Sequence, residues 1–346
     1  MTDEDPERES GDAGVREIFA AWWNGEDPPG QSTLPAILPM HEWKRLFLLW
    51  WTGGLDPEAE LEPVETTGTA HRANVPRRKQ QEINARGRVS QALWGEGNLT
   101  PGPAEFITEI TARLGLTSEM SMADLGAGLG GPARAICAAY KIWITAYEAV
   151  PEYVKAGMEQ SIMHGMGKKA PITQFETETF TLPEHKYDCV FSKEMMHHVQ
   201  DKVRLLRQIQ GSLKDGGQFC FTNYVITDAG KDTSHVTAWN LADGQNSHFW
   251  TKEEFQAAFA RAKLDLRVSE DLTARYSEMI AEGFRGLKKN MDNLIADEPD
   301  PEHQSELLHA LAFETNRWAV RAEALKSGAM ALLRFSGING KRAEIR

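Results

Sequence analysis

In the stretch ADLGAGLGGPAR, residues 123–134, a carboxylate and four glycines stand at the spacing of a ligand-binding loop: Asp124, then Gly126, Gly128, Gly130 and Gly131. Such glycines turn the backbone where a Cβ would clash and let it run close to a bound molecule. Gly126, Gly128 and Gly131 satisfy G-x-G-x-x-G, so a dinucleotide ligand is one reading. Other features favour a different ligand. Asp124 precedes the first glycine where a dinucleotide loop usually carries an apolar side chain. Pro132 sits at the first helical position, where a missing N–H costs nothing. Glu148 closes the next predicted strand, where a carboxylate can accept both hydroxyl hydrogens of a ribose. His197 and His198 do not read as a metal site. Adjacent residues on a helix point apart, and no Cys, His or Asp stands near them at ligand spacing.

These residues need a scaffold, and the chain supplies one in alternation. PAEFITEITARLG reads as a helix, MSMADLG as a short buried strand, GPARAICAAY as a helix and KIWITAYEAV as a strand. EYVKAGMEQSIMHGMG, APITQFE, YDCVFSKE, DKVRLLRQIQGSLKDGG and QFCFTNYV continue as helix, strand, strand, helix ended by glycines, and strand. KEEFQAAFARAK and LDLRVSE add a helix and a strand. Strands separated by helices mean βαβ units and a mostly parallel sheet. The expected organisation is an acidic disordered tail (1–13), an N-terminal helical segment (14–95), the α/β domain (96–270), a helical segment (271–328) and a final strand with its tail (329–346). In the N-terminal segment, Trp43, Phe47, Trp50 and Trp51 share one helix face. That stripe reads first as packing against the main domain and second as a subunit contact, which would make a homodimer.

Composition excludes several partners. The 346 residues carry 38 basic and 50 acidic side chains, a net charge of −12. Such a chain repels phosphate backbones and anionic headgroups, so neither nucleic acid nor a membrane surface is an expected partner. The basic runs VPRRKQ and LKK are short and separate. Cys137, Cys189 and Cys220 lie in apolar stretches and read as reduced, buried thiols. With no apolar run long enough to span a bilayer and no secretory leader, the expected location is the cytoplasm.

ADLGAGLGGPAR resembles the first motif of class I S-adenosylmethionine-dependent methyltransferases, and GGPAR is close to the form found in sterol and small-amine methyltransferases. The resemblance extends through YEAV (147–150), residues 176–202 and LKDGGQFCFTNYV (213–225). It implies a Rossmann-like, doubly wound α/β sheet of the seven-stranded methyltransferase type, with an N-terminal helical extension and a helical lid before the last strand. It implies S-adenosylmethionine as cofactor, its methionine end held by Asp124, Gly126, Ala127, Gly128 and Gly130, and its ribose by Glu148 with Ala149. Glu178 and Thr179 take the adenine position, where the family usually has Asp. By the same resemblance, Ser192, Lys193, Glu194, His197 and His198 fall near the reacting centre, and Trp94 with WGEGNLTPG precedes the core on the donor side.

Methyl transfer from a sulfonium is an in-line displacement, so the protein's work is alignment and exclusion of water. An amine nucleophile must be unprotonated, which gives a base such as His197 or His198 a role; a thioether has no proton to lose. Glu194 and Tyr224 complete the expected catalytic set. Aromatic faces stabilise onium cations, and Trp239, Trp250 and Tyr276 stand where they would line the acceptor. EDLTARY resembles the matching segment of phosphoethanolamine and glycine/sarcosine N-methyltransferases. The expected function is methyl transfer to nitrogen or sulfur of a small polar acceptor, such as a betaine- or sulfonium-type metabolite or its precursor. C-methylation of a polycyclic lipid is the first alternative, although the aromatic acidic motif of sterol enzymes is missing. A donor-binding regulator without activity is the second.

Overall fold

The computed structural model describes residues 83–231 and 234–340. The acidic tail and the Trp43/Phe47/Trp50/Trp51 stripe, with the homodimer contact expected of it, lie outside the described residues. The strands are β1 (Ser121–Leu125), β2 (Trp143–Glu148), β3 (Ile172–Gln174), β4 (Tyr187–Lys193), β5 (Leu213–Ile226), β6 (Trp250–Thr251), β7 (Leu264–Asp271) and β8 (Met330–Asn339). They form one eight-stranded sheet in the order β3-β2-β1-β4-β5-β8-β7, with β6 paired to β5. β1 to β5 pair in parallel, and β8 runs antiparallel to both β5 and β7. The chain order reverses at β1, whose neighbours are β2 and β4. A ligand crevice opens outside the carboxyl ends of strands at such a reversal. The glycine loop leaves β1 at that point.

The helices are α1 (Ala85–Trp94), α2 (Ala104–Thr111), α3 (Gly131–Tyr140), α4 (Pro151–Met163), α5 (Lys202–Ser212), α6 (Ser234–Asp243), α7 (Lys252–Arg261), α8 (Thr273–Ala296) and α9 (Pro301–Lys326). Alternate residues along the central strands feed two cores. Cys189, Phe191, Cys220 and Tyr224 face one core with α1, α2, α8 and α9. Val190, Phe219 and Phe221 face the other, against Leu205, Leu206, Phe255 and Phe259. Each ring or branched side chain so buried stabilises the fold by about 1.5–3 kcal/mol. No helix among the described residues is long and apolar enough to cross a membrane.

One local expectation differs from what is observed. The helix read through Gly217 ends at Ser212, because Leu213 turns extended and pairs with Tyr187. The glycines then serve an irregularity in the β4–β5 register, with Gly216 at φ 71°. Residues 234–243, to which the sequence alternation assigns no element, form α6, whose buried side is Trp239, Ala242 and Asp243. α8 packs on α1 at Gly283, where an added Cβ would lie 2.2 Å from the Trp94 ring.

Candidate active site

The loop after β1 is held almost wholly by its own chain. Gly126 N and Ala127 N both donate to the Tyr147 carbonyl at 2.9 Å, and Gly128 N donates to Glu148 Oε2 at 2.7 Å. Gly130 N donates to the Ala127 carbonyl, and Gly131 N to the Gly97 carbonyl. Gly126, Gly128 and Gly130 have φ of 77°, 57° and 78°, the left-handed region that glycine enters without strain. Side chains press on them: an added Cβ would lie 2.5 Å from Met195 at Gly126 and 2.9 Å from Leu99 at Gly128. These glycines therefore admit neighbouring side chains as well as the turn.

Two carboxyl groups converge on this loop. Glu148 is buried and accepts Gly128 N at Oε2 and Val150 N at Oε1. Burial pushes its pKa up, against the pull of those amides. Asp124 is 1 % exposed, and its Oδ2 has no hydrogen-bond partner. Burial, then the charge of Glu148, raise its pKa to about 7, with Lys193 opposing. A buried carboxyl oxygen without a partner costs free energy unless a ligand supplies one. Amides already spent on the chain, beside two acidic groups, do not make a cradle for pyrophosphate. They fit a ligand that brings cationic and hydroxyl groups. Ala127 is buried and Ala149 half-buried beside them.

At the end of β4 the chain turns sharply through Glu194, a non-glycine residue with φ 56°. Its side chain is buried at the meeting of three elements. Oε1 pairs with Lys193 Nζ at 2.8 Å. Oε2 accepts Tyr276 Oη of α8 at 2.6 Å and Tyr224 Oη of β5 at 3.3 Å. Lys193 also donates to Thr100 Oγ1 in the segment that crosses the glycine loop. Burial and Glu194 push both tyrosine hydroxyls well above their ordinary pKa, so they act as neutral donors.

Behind Tyr224 lies a box of rings. Trp239 meets Tyr224 edge-on at 4.7 Å, and Trp318 of α9 lies against Trp94 at 4.8 Å. The Arg321 guanidinium sits 4.6 Å from the Trp239 ring and 4.8 Å from Trp318, and it pairs with Asp243 at 2.8 Å. His197 stacks on Phe249 at 5.4 Å, with the Asn223 side chain beside its ring. Burial and then His198 push its pKa well down. His198, bonded to Gln245 Nε2 at 3.1 Å, is lowered to about 4 by burial and then by Arg321 and Arg317.

Thus the expected residues Asp124, Gly126, Gly128, Gly130, Glu148, Lys193 and Glu194 gather at the carboxyl ends of β1, β2 and β4, and Tyr224, Tyr276, Trp239 and His197 lie around Glu194 or the box beside it. Others stand elsewhere. Ser192 Oγ donates to the Leu125 carbonyl and ties β4 to β1. Glu178 and Thr179 are exposed, and Glu178 accepts the amides of Gln200 and Asp201 ahead of α5. Trp250 belongs to the opposite core, against Phe255 and under Lys202. Trp94 packs among α1, α8 and α9, where Phe284 also meets its ring. Arg321, Asn223 and Thr100 were not singled out from sequence. Asn223 lies in the 213–225 stretch and Thr100 in WGEGNLTPG, Arg321 lies in neither, and only the tertiary fold brings the three here.

Residues 102–268 match the methyltransferase domain family. Over 210 residues the chain is 25% identical to a phosphoethanolamine N-methyltransferase of Triticum aestivum, a match covering 60% of this chain and 40% of the wheat protein. Over 176 residues it is 24% identical to sterol 24-C-methyltransferase erg-4 of Neurospora crassa, covering 49% of this chain and 46% of that one. The chain thus aligns with less than half of either relative. Among solved structures, Haemonchus contortus phosphoethanolamine N-methyltransferase 2, in complex with phosphomonomethylethanolamine and S-adenosylhomocysteine, superposes with a TM-score of 0.61 at 16% identity. That superposition covers 73% of this chain and 56% of the other. The sheet order and these matches lead to one conclusion: residues 102–268 match the methyltransferase domain family and are built on a Rossmann-like fold.

Proposed function

We propose that this protein transfers the methyl group of S-adenosylmethionine to the nitrogen of a small polar acceptor. The observation that carries the reading is the acidic glycine loop: Asp124 Oδ2 is buried without a partner, beside Glu148, while the loop amides are already spent. A donor with an α-ammonium group, a sulfonium and a ribose complements that loop; a pyrophosphate does not. Asp124 would receive the ammonium end. Glu148 has lone pairs left for ribose hydroxyls. When bound, the donor supplies an electrophilic methyl carbon on a positively charged sulfur.

The chain's own groups would do the rest. Glu194 Oε2, fixed by Tyr276 and Tyr224, accepts an N–H of the incoming amine and fixes the direction of its lone pair. Its carboxylate is the nearest acceptor for the proton the nitrogen sheds as the new N–C bond forms. Burial, then Arg321 and Arg317, lower His198 to about 4, which makes it a weaker base than an ordinary imidazole. Trp239 and Tyr224 wall off water. The charged groups Arg321, Asp243 and Glu194 next to these rings are a poor lining for a polycyclic lipid, which favours a polar acceptor over the C-methylation reading.

The test is incubation of the full chain with labelled donor and a panel of primary, secondary and tertiary amines, thioethers and sterols, read by product mass. An N-methyl product supports the reading. Donor binding with no product from any amine overturns it in favour of a regulator.

A further inference from the structure

Arg134 ends the stretch ADLGAGLGGPAR and sits in the first turn of α3, yet it is only 7 % exposed. Its hydrogen-bond partners are uncharged. Nη1 donates to the Leu129 carbonyl of the donor loop at 2.8 Å and lies 3.4 Å from the Gly157 carbonyl of α4. Nη2 donates to Gln160 Oε1, also of α4, at 2.7 Å. Burial lowers its pKa to about 10, with Glu96 opposing, so the group stays charged at neutral pH. A buried guanidinium is a costly way to fill space, and what it holds must account for it.

The bonds run on past α4 and return. Gln160 Nε2 donates to Gln91 Oε1 of α1 at 2.8 Å, and the same oxygen accepts Gly97 N at 2.8 Å. The Gly97 carbonyl accepts Gly131 N at 2.9 Å, in the same turn as Arg134. Four hydrogen bonds thus close a ring through α3, α4, α1 and residues 95–100. Donor chemistry fixes each member. A guanidinium and a backbone N–H can only donate. Gln160 therefore turns its oxygen to Arg134 and its NH2 to Gln91, and Gln91 turns its oxygen to both neighbours. Only a donor side chain at position 134 completes the ring. Sterics agree, because Gly97 has φ 78° and an added Cβ there would meet Nη2.

The ring holds down a strap. Beyond Gly97, Leu99 lies against Gly128, where an added Cβ would be 2.9 Å from its side chain, and Thr100 accepts a hydrogen bond from Lys193. Residues 95–100 therefore lie along the loop from Gly131 to Gly128 and reach the end of β4. A shift of the loop that admits or releases a ligand stretches these contacts.

We infer that Arg134 is a positioning residue that clamps segment 95–100 onto the donor loop, and that opening of this clamp sets the rate at which the demethylated donor leaves. The clamp stands on geometry alone; the identity of what leaves rests on the methyl-transfer reading.

Arg134→Met strands the Leu129 carbonyl and Gln160 together and can loosen the fold, so Gln91 provides the deciding variants. Gln91→Met keeps the length of the side chain and removes the acceptor, whereas Gln91→Glu keeps the acceptor. Two readouts are taken on the full chain: hydrogen–deuterium exchange of residues 95–100 and 126–131 without ligand, and stopped-flow release of S-adenosylhomocysteine. Gln91→Met is expected to raise exchange in both segments and to speed release roughly 10-fold, about the worth of one such bond, while its thermal melt stays cooperative. Gln91→Glu is expected to exchange and release no faster than the wild type. Unchanged exchange and release in Gln91→Met overturns the clamp. So does a Gln91→Glu variant as impaired as Gln91→Met, because packing and not the acceptor would then be at work. A wild-type chain that does not bind S-adenosylhomocysteine overturns the methyl-transfer reading instead, and exchange then decides the clamp by itself.

Discussion

Tyr276 Oη lies 2.6 Å from Glu194 Oε2, a bond between residues 82 apart in sequence that ties helix α8 to the end of strand β4. A short bond from a neutral phenol to a buried carboxyl fixes that carboxyl in one orientation. Tyr276→Phe removes it with little change in packing and is expected to lower kcat/KM roughly 10- to 100-fold. Tyr224→Phe, whose bond is 3.3 Å, is expected to cost less. Steady-state kinetics with the responding acceptor checks the order. Equal, unimpaired kinetics in both variants would remove Glu194 from the mechanism.

Asp124 makes the fold and the donor site depend on pH in opposite senses. Its pKa rises from 3.8 in the unfolded chain to about 7 in the fold. Between those values the unfolded chain binds fewer protons, so stability falls as pH rises and levels off above about 7; the loss is on the order of 4 kcal/mol. A cationic ligand favours the ionised form, so its binding below pH 7 releases a proton and tightens by up to about tenfold per pH unit. Asp124→Asn is expected to raise the melting temperature at pH 8, weaken binding and abolish proton release. Calorimetry in two buffers of different ionisation enthalpy measures the released proton directly.

The histidines are expected to be silent in the rate profile. His198 ionises only near pH 4, and His197 is held well below its ordinary range. Between pH 6 and 8 both stay neutral, and His198→Gln should leave the shape of the kcat/KM profile unchanged. An inflection near pH 6.5 that disappears in that variant would restore a histidine base.

Gly131→Ala tests the segment that crosses the donor loop. Its Cβ would lie 2.6 Å from the Gly97 carbonyl oxygen, a backbone atom that cannot rotate away. Breaking the Gly131–Gly97 bond should cost about 1–3 kcal/mol and shorten donor residence. Denaturant melts and stopped-flow release of S-adenosylhomocysteine report the two effects. A variant as stable and as retentive as the wild type would show that the segment does not hold the loop.

Much of this was legible in the residues. The alternation of apolar strands and amphipathic helices forecasts the sheet, since each βαβ unit carries its own period, and Asp124, the glycines and Glu148 sit at strand ends that the pattern locates. Side-chain direction was less legible. Ser192 and Lys193 are adjacent, yet one ties β4 to β1 and the other reaches Thr100, because successive residues of a strand face opposite ways. Trp239 and Trp250 looked equivalent as aromatics but fall in different cores, since Trp239 sits on α6, a helix with no strong apolar stripe, and Trp250 on β6. Arg321 was hidden on α9 as one charge among many. Burial among three rings is a property of the packed helices, and no spacing rule announces it.

The most direct measurement is calorimetric titration of the full chain with S-adenosylhomocysteine and, in parallel, with a nicotinamide dinucleotide. Saturable one-to-one heat with the former, lost in Glu148→Ala, and none with the latter is the predicted result. No heat with S-adenosylhomocysteine or S-adenosylmethionine, together with saturable dinucleotide binding, would contradict the reading of the acidic loop.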